Sequence, residues 1–191
     1  ILNSILDNIV TLANEVTKFG ESCSNQIEAL SKEIINVFLK ENKILICGNG
    51  GSAADAQHFA AEIVSSFGRG LVRRALPALA LTVDSSIITA ISNDFNYDLI
   101  FSRQVEALGK PGDLLLAIST SGESKNCINA VETAKNRGLR TAALTKINST
   151  LHNKAETVVA VPLSSTQSIQ TCHLITYHII SEKVDGIFDQ K

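Results

Sequence analysis

Lys43-Ile44-Leu45-Ile46-Cys47-Gly48-Asn49-Gly50-Gly51-Ser52-Ala53-Ala54 is the stretch on which the fold turns. Residues 43–47 are a short, unbroken apolar run, the pattern of a strand buried on both faces. Gly48 ends the run, and from Ser52 a helical pattern continues to about Ser66. A second stretch, Leu114-Leu115-Leu116-Ala117-Ile118-Ser119-Thr120-Ser121-Gly122-Glu123-Ser124, has the same build: apolar strand, small-residue loop, helix. Three more apolar runs follow the same logic, at 78–83, 141–144 and 157–161, with helical patterns at 85–92, 99–108, 126–137 and 167–184. Gly109 and Gly138 stand where helices are expected to end. Strands alternating with helices imply a parallel sheet covered on both faces. The expected fold class is therefore α/β, a three-layer sandwich around a mostly parallel five-stranded sheet.

Upstream of residue 43 the period is helical. Leu2, Ile5, Ile9, Leu12, Val16 and Phe19 recur at spacings of three and four, Gly20 closes that pattern, and Ile27, Leu30, Ile34, Val37 and Phe38 resume it. Residues 1–40 thus read as an N-terminal helical hairpin whose apolar face calls for a partner, a second subunit among the candidates. No linker rich in Ser or Gly divides the chain, so residues 1–191 are read as one domain.

Composition narrows the function classes. The 191 residues are 45% hydrophobic and 19% charged, with a net charge of −2. That balance suits a globular protein and argues against a large nucleic-acid-binding face, which shows as a basic excess. No apolar run approaches the roughly 18 residues that span a bilayer. The start, Ile1-Leu2-Asn3-Ser4, has no basic segment ahead of an apolar one. Cys23, Cys47, Cys127 and Cys172 are widely spaced with no Cys-x-x-Cys, so they read as free thiols in a reducing cytoplasm.

The chemistry is expected in the loops. Ligands of parallel sheets bind at the carboxyl ends of strands. Free amides at a helix N-terminus favour an anion there. Ser119, Thr120, Ser121 and Ser124 add hydroxyl donors without adding charge, and phosphate is the natural guest. Gly48-Asn49-Gly50-Gly51-Ser52-Ala53 also fits the dinucleotide pattern G-x-G-x-x-A, but no acidic residue follows at the expected distance of about 20. Asp84 lies 36 positions on, and no nucleotide cofactor is expected.

The helix after the first loop carries Asp55, His58 and Glu62, the last two on one face. Glu62 stands among apolar neighbours, which suits a general base, although an exposed pair of little consequence has the same spacing. The last helix carries Gln170, His173 and His178, with Gln170 and His178 along one side. His58, Glu62, Gln170 and His178 also make a nitrogen and oxygen donor set that a metal could use.

Gly48-Asn49-Gly50-Gly51-Ser52-Ala53-Ala54-Asp55-Ala56-Gln57-His58-Phe59-Ala60-Ala61-Glu62 closely resembles the signature of the phosphoheptose isomerase family, in the sugar isomerase (SIS) superfamily. The resemblance continues through Ala90 to Asp94, Phe101 to Gly109, Ala117 to Gly122, and Ile169-Gln170 with His173 and His178. It implies a cytoplasmic homotetramer with sites between subunits. It also implies conversion of sedoheptulose 7-phosphate to D-glycero-D-manno-heptose 7-phosphate for lipopolysaccharide or surface heptose. By the same resemblance Glu62 is the base and His178 the acid. Ser52, Ser119, Thr120, Ser121 and Ser124 hold the phosphate, with Gly50 and Gly51 in the same loop. Asn49, Asn93 and Asp94 lie toward the sugar. Gln170 and His58 complete the pocket, or bind zinc with Glu62 and His178, one ion per site. A non-catalytic branch of the superfamily binds the replication initiator, and a sugar-phosphate sensor is a further alternative; retention of Glu62 and His178 favours the enzyme. Three departures stand out. Ser66 replaces an Arg, Ser168 and Thr171 replace an Arg and a Glu, and Lys146 to Thr150 replaces a Gly-rich segment. One lost charge-assisted contact to phosphate is worth about 1.5 to 3 kcal/mol.

Overall fold

Four of the five strands are apolar at nearly every position because the sheet they build is covered on both faces. The computed structural model describes residues 4–68 and 73–189. Strands β1 (Ile44–Gly48), β2 (Ala78–Ala80), β3 (Leu114–Ser119), β4 (Arg140–Lys146) and β5 (Thr157–Val161) form one sheet in the order β2-β1-β3-β4-β5. Every pairing is parallel. Side chains alternate between faces. Ile44, Ile46, Leu114, Leu116, Ile118, Ala142 and Leu144 enter one apolar core, and Leu45, Cys47, Leu115, Ala117 and Ala143 enter the other.

The first core is roofed by α1 (Ile5–Leu39), α2 (Gly51–Val64) and α7 (Thr166–Phe188). The second is roofed by α3 (Ser85–Asp94), α4 (Ser102–Leu108), α5 (Lys125–Asn136) and the short α6 (Thr150–Lys154). This is the expected three-layer α/β sandwich, with the sheet wholly parallel. Strand order reverses between β1 and β3, so the crevice beyond their carboxyl ends is where a ligand is expected. Both small-residue loops open into it.

The N-terminal hairpin expected from Gly20 is instead one continuous helix. Phe19, Cys23, Ile27, Leu30, Ile34 and Phe38 stay in phase across the glycine and are all buried. Their packing outweighs the roughly 1 kcal/mol that a mid-helix glycine costs relative to alanine. Ser4 caps the helix and bonds reciprocally with Asp7. Leu2 lies outside the described residues.

Other boundaries moved for local reasons. β2 stops at Ala80 because the chain then turns to let Asp84 cap α3, its carboxylate accepting Ile87 N–H at 2.9 Å. Asp84, the acidic residue nearest to a ribose-binding role, is therefore a helix cap. The helix expected from residue 99 begins at Ser102, after a 3-10 turn at Tyr97–Leu99. α6 was not expected, and α7 runs one turn beyond its expected end. All four cysteines are free and buried. No described helix is long and apolar enough to cross a membrane.

Candidate active site

The loop after β1 is shaped by a left-handed backbone at Gly50 and a close approach at Gly48, where a Cβ would lie 2.6 Å from the Ser52 carbonyl oxygen. Gly50 takes a positive φ of 56° as the cap of α2. A Cβ at Gly51 would displace the amide end of Gln170 of α7, whose Nε2 lies 2.1 Å from that position.

Where those helices meet, three side chains converge. Glu62 Oε1 lies 3.0 Å from His58 Nε2 and 3.3 Å from His178 Nε2. Glu62 is buried, while the two imidazoles are partly open to solvent. Its other oxygen accepts the Ser181 hydroxyl at 2.8 Å. The imidazoles meet edge to face with centroids 5.2 Å apart. Phe67 lies against His178, its centroid 5.3 Å away.

Behind this group runs a second line of polar contacts. Tyr177 O–H is 3.0 Å from His58 Nδ1 and 3.4 Å from Asp55 Oδ1, and Gln170 Nε2 donates to Asp55 Oδ2 at 3.4 Å. Burial pushes the Asp55 carboxyl up, partly offset by the hydrogen bonds from Gln170 and Tyr177. Burial and the charges of Asp55 and Glu62 push the Tyr177 phenol above its ordinary value, so it remains an O–H donor. Tyr177 O–H and His58 Nδ1 form one hydrogen bond in which either group can donate.

The second loop is organised around Ser119. Its hydroxyl accepts Gly122 N–H at 3.1 Å and lies 3.4 Å from Ser121 Oγ and 3.2 Å from Ser124 Oγ. Ser124 caps α5 without using its side chain, so both hydroxyl and helix end stay available to an anion. Thr120 sits half-buried between them. Gly122 has φ +69° and packs on Ser149, leaving no room for a Cβ. Asn49 joins the two loops. It exchanges two amide bonds with Asn126, each 2.9 Å, and accepts the Tyr97 hydroxyl at 2.9 Å. Ser52, at the head of α2, is buried.

The structure thus brings together His58, Glu62 and His178, and separately the hydroxyls of the second loop. Gln170 reaches the first group at one remove, through Asp55 and Tyr177. Asn93 and Asp94 sit exposed at the end of α3, bonded to one another at 2.8 Å, and no described contact ties them to either group. Ser168, where the family pattern has an arginine, donates to Glu15 of α1. Sequence reading missed Tyr177, Ser181, Arg73 and Asp185. The four-residue spacing of 177, 181 and 185 was the available signal.

His58, Glu62 and His178 offer donor atoms within 4.8 Å of one another. A carboxylate oxygen facing two imidazole nitrogens at this range needs a proton or a cation among them. Ligands of a tetrahedral zinc ion sit about 3.3 Å apart, so the donor set fits such an ion.

Comparison with known proteins gives a consistent picture. The family model described as the SIS domain matches residues 9–146. A phosphoheptose isomerase from Synechocystis is 50% identical over 175 residues, 91% of this chain and 89% of that protein. One from Roseiflexus is 43% identical over 182 residues, 95% of this chain and 91% of that protein. The solved phosphoheptose isomerase of Neisseria gonorrhoeae superposes with a TM-score of 0.85 at 34% identity, covering 96% of this chain and all of that one.

Proposed function

The chain belongs to the phosphoheptose isomerase family of SIS-domain proteins, and on that premise we propose that it converts sedoheptulose 7-phosphate to D-glycero-D-manno-heptose 7-phosphate, with Glu62 as base and His178 as acid. The observation that carries this reading is the buried Glu62 carboxylate held between two imidazoles.

The substrate is a ketose with its carbonyl at C2. Glu62 takes a proton from C1, an enediol forms, and a proton returns to C2, leaving the carbonyl at C1. One oxygen must lose a proton as the other gains one, and His178, beside Glu62, carries that transfer. Ser181 fixes the far oxygen of Glu62, so the carboxylate presents one atom to the substrate. Ser52, Ser119, Thr120, Ser121 and Ser124, with the N–H groups at the start of α2 and α5, bind the phosphate. Gly50 and Gly51 let that loop close in, and Asn49, Asn93 and Asp94 face the sugar chain.

Zinc fits at His58, Glu62 and His178, while Gln170, expected as a further ligand, bonds Asp55. When bound, the ion would polarise the carbonyl and its neighbouring hydroxyl as a Lewis acid. The Tyr177 contact orients His58 for that role.

We take the whole chain as one cytoplasmic SIS domain assembled as a homotetramer. The exposed apolar residues Ile5, Leu6, Ile9 and Val10 of α1 favour a second copy as their cover. Heptose for lipopolysaccharide or another surface glycan is the destination we assign to the product.

The test is direct NMR observation of the purified protein with sedoheptulose 7-phosphate, with and without zinc, beside Glu62→Gln and His178→Ala. Aldose formed by the wild type and lost in both variants is expected. Absence of turnover in every condition would overturn the heptose assignment.

A further inference from the structure

Glu62 and His178 stand on different helices, so their mutual geometry depends on what locks α2 to α7. Three positions of α7, each four residues apart and so on one face, reach toward α2 or the turn that follows it. Tyr177 bonds His58, Ser181 bonds Glu62, and Asp185 binds the turn. Asp185 is 2% exposed. Its Oδ2 accepts Phe67 N–H at 2.7 Å and Gly68 N–H at 2.8 Å, and its Oδ1 accepts Nε–H of Arg73, whose side chain is fully buried. The same guanidinium donates from Nη2 to the backbone carbonyl of Glu62 at 2.8 Å. That carbonyl is among the last four of α2, the end at which a helix favours a cation.

We propose that the Arg73–Asp185 pair is a positioning device for the isomerase reaction: it fixes the backbone of Glu62 and, through the Phe67 turn, the ring of His178. This rests on the functional reading given above. A buried ion pair is poor evidence of a stabilising role, because apolar residues of similar volume serve as well or better. What the pair supplies is direction. One planar guanidinium engages a carboxylate of α7 and a carbonyl of α2 together, which a lysine ammonium on a flexible stem does poorly. The Asp185 carboxylate also holds the turn that lays Phe67 against His178. Both reacting groups are thus registered by one buried contact that need not touch the substrate.

The experiment uses the full chain and compares Asp185→Asn, Arg73→Lys and Phe67→Ala with the wild type. Two readouts are taken: kcat and KM for sedoheptulose 7-phosphate per folded molecule, and the imidazole proton signals of His178. A positioning role predicts that kcat falls about 10- to 100-fold in Asp185→Asn and Arg73→Lys. KM stays within about twofold, because the phosphate loop is built from other elements. It also predicts that the His178 signals move in Asp185→Asn, as they do when Phe67 is removed. Folded variants that keep kcat while losing only thermal stability would overturn the proposal. If Asp185→Asn does not fold, Arg73→Lys and Phe67→Ala decide it by the same two readouts. If the wild type shows no turnover, the functional reading fails instead. The His178 signals then decide alone: displacement in Asp185→Asn upholds the clamp, and unchanged signals refute it.

Discussion

The two strand–loop–helix units, β1 to α2 and β3 to α5, look alike in sequence and are held in opposite ways. The second loop is braced nearby. Ser119 organises it through Ser121, Gly122 and Ser124, all within five residues, and Glu123 accepts Thr150 N–H and Oγ–H at 2.8 and 2.6 Å. The first unit is braced from afar: Asp55, His58 and Glu62 find their partners on α7, 115 to 122 positions on. A phosphate cradle needs a local backbone shape, which neighbouring hydroxyls can set. A base and an acid need fixed distance and orientation, which two packed helices supply.

The largest test of that contrast is Glu62→Gln. Removing the proposed base should lower kcat about 10²- to 10⁴-fold while KM moves little, as steady-state kinetics would read. A comparable loss from any single serine of the second loop would break the contrast.

Next comes the contact that brings α7 onto the first loop. Gly51→Ala places a methyl on Gln170. Gln170 can swing aside, so urea unfolding should show a loss of at most about 1 kcal/mol, with activity falling as the Gln170–Asp55 bond is lost.

α7 also carries an acid-sensitive element. His173 is buried with neither ring nitrogen hydrogen-bonded among the described residues, and burial pushes its pKa down to about 3. A histidine in the unfolded chain titrates near 6.5, so below that pH the unfolded state binds a proton that the native state refuses. Stability should fall as pH drops from 6.5 toward 3. Between pH 6.5 and 5 the wild type should lose about 1 to 2 kcal/mol more than His173→Leu, measured by denaturant unfolding.

Smaller effects are expected at the second loop, the proposed phosphate site. Ser119→Ala should raise KM about tenfold at nearly constant kcat, as one hydrogen-bonding hub is lost. Thr150→Val, at the edge of the brace, should raise KM only about two- to threefold.

The same contrast explains what could be read in advance. Continuous apolar strands and the small-residue loops that follow them are local patterns, and they stand where expected except that β2 stops at Ala80. The helix pair expected over residues 1–40 failed because Gly20 is a weak local signal, overruled by an apolar phase that only packing reveals. α6, five residues long, is too short to show a period. Tyr177, Ser181 and Asp185 share one helix face by their spacing, but their partners, like those of Arg73, lie on other elements and no window of sequence displays the pairing. His58, Glu62 and His178 were legible as types and spacings, whereas their convergence is a product of the fold.

The central claim is that Glu62 moves a proton between C1 and C2 of the sugar. Running the isomerisation in deuterium oxide and observing the aldose by NMR tests it most directly. Solvent deuterium at C2 of the product, with no product formed by Glu62→Gln, is the predicted result. Product from Glu62→Gln at the wild-type rate, carrying the same label, would contradict it.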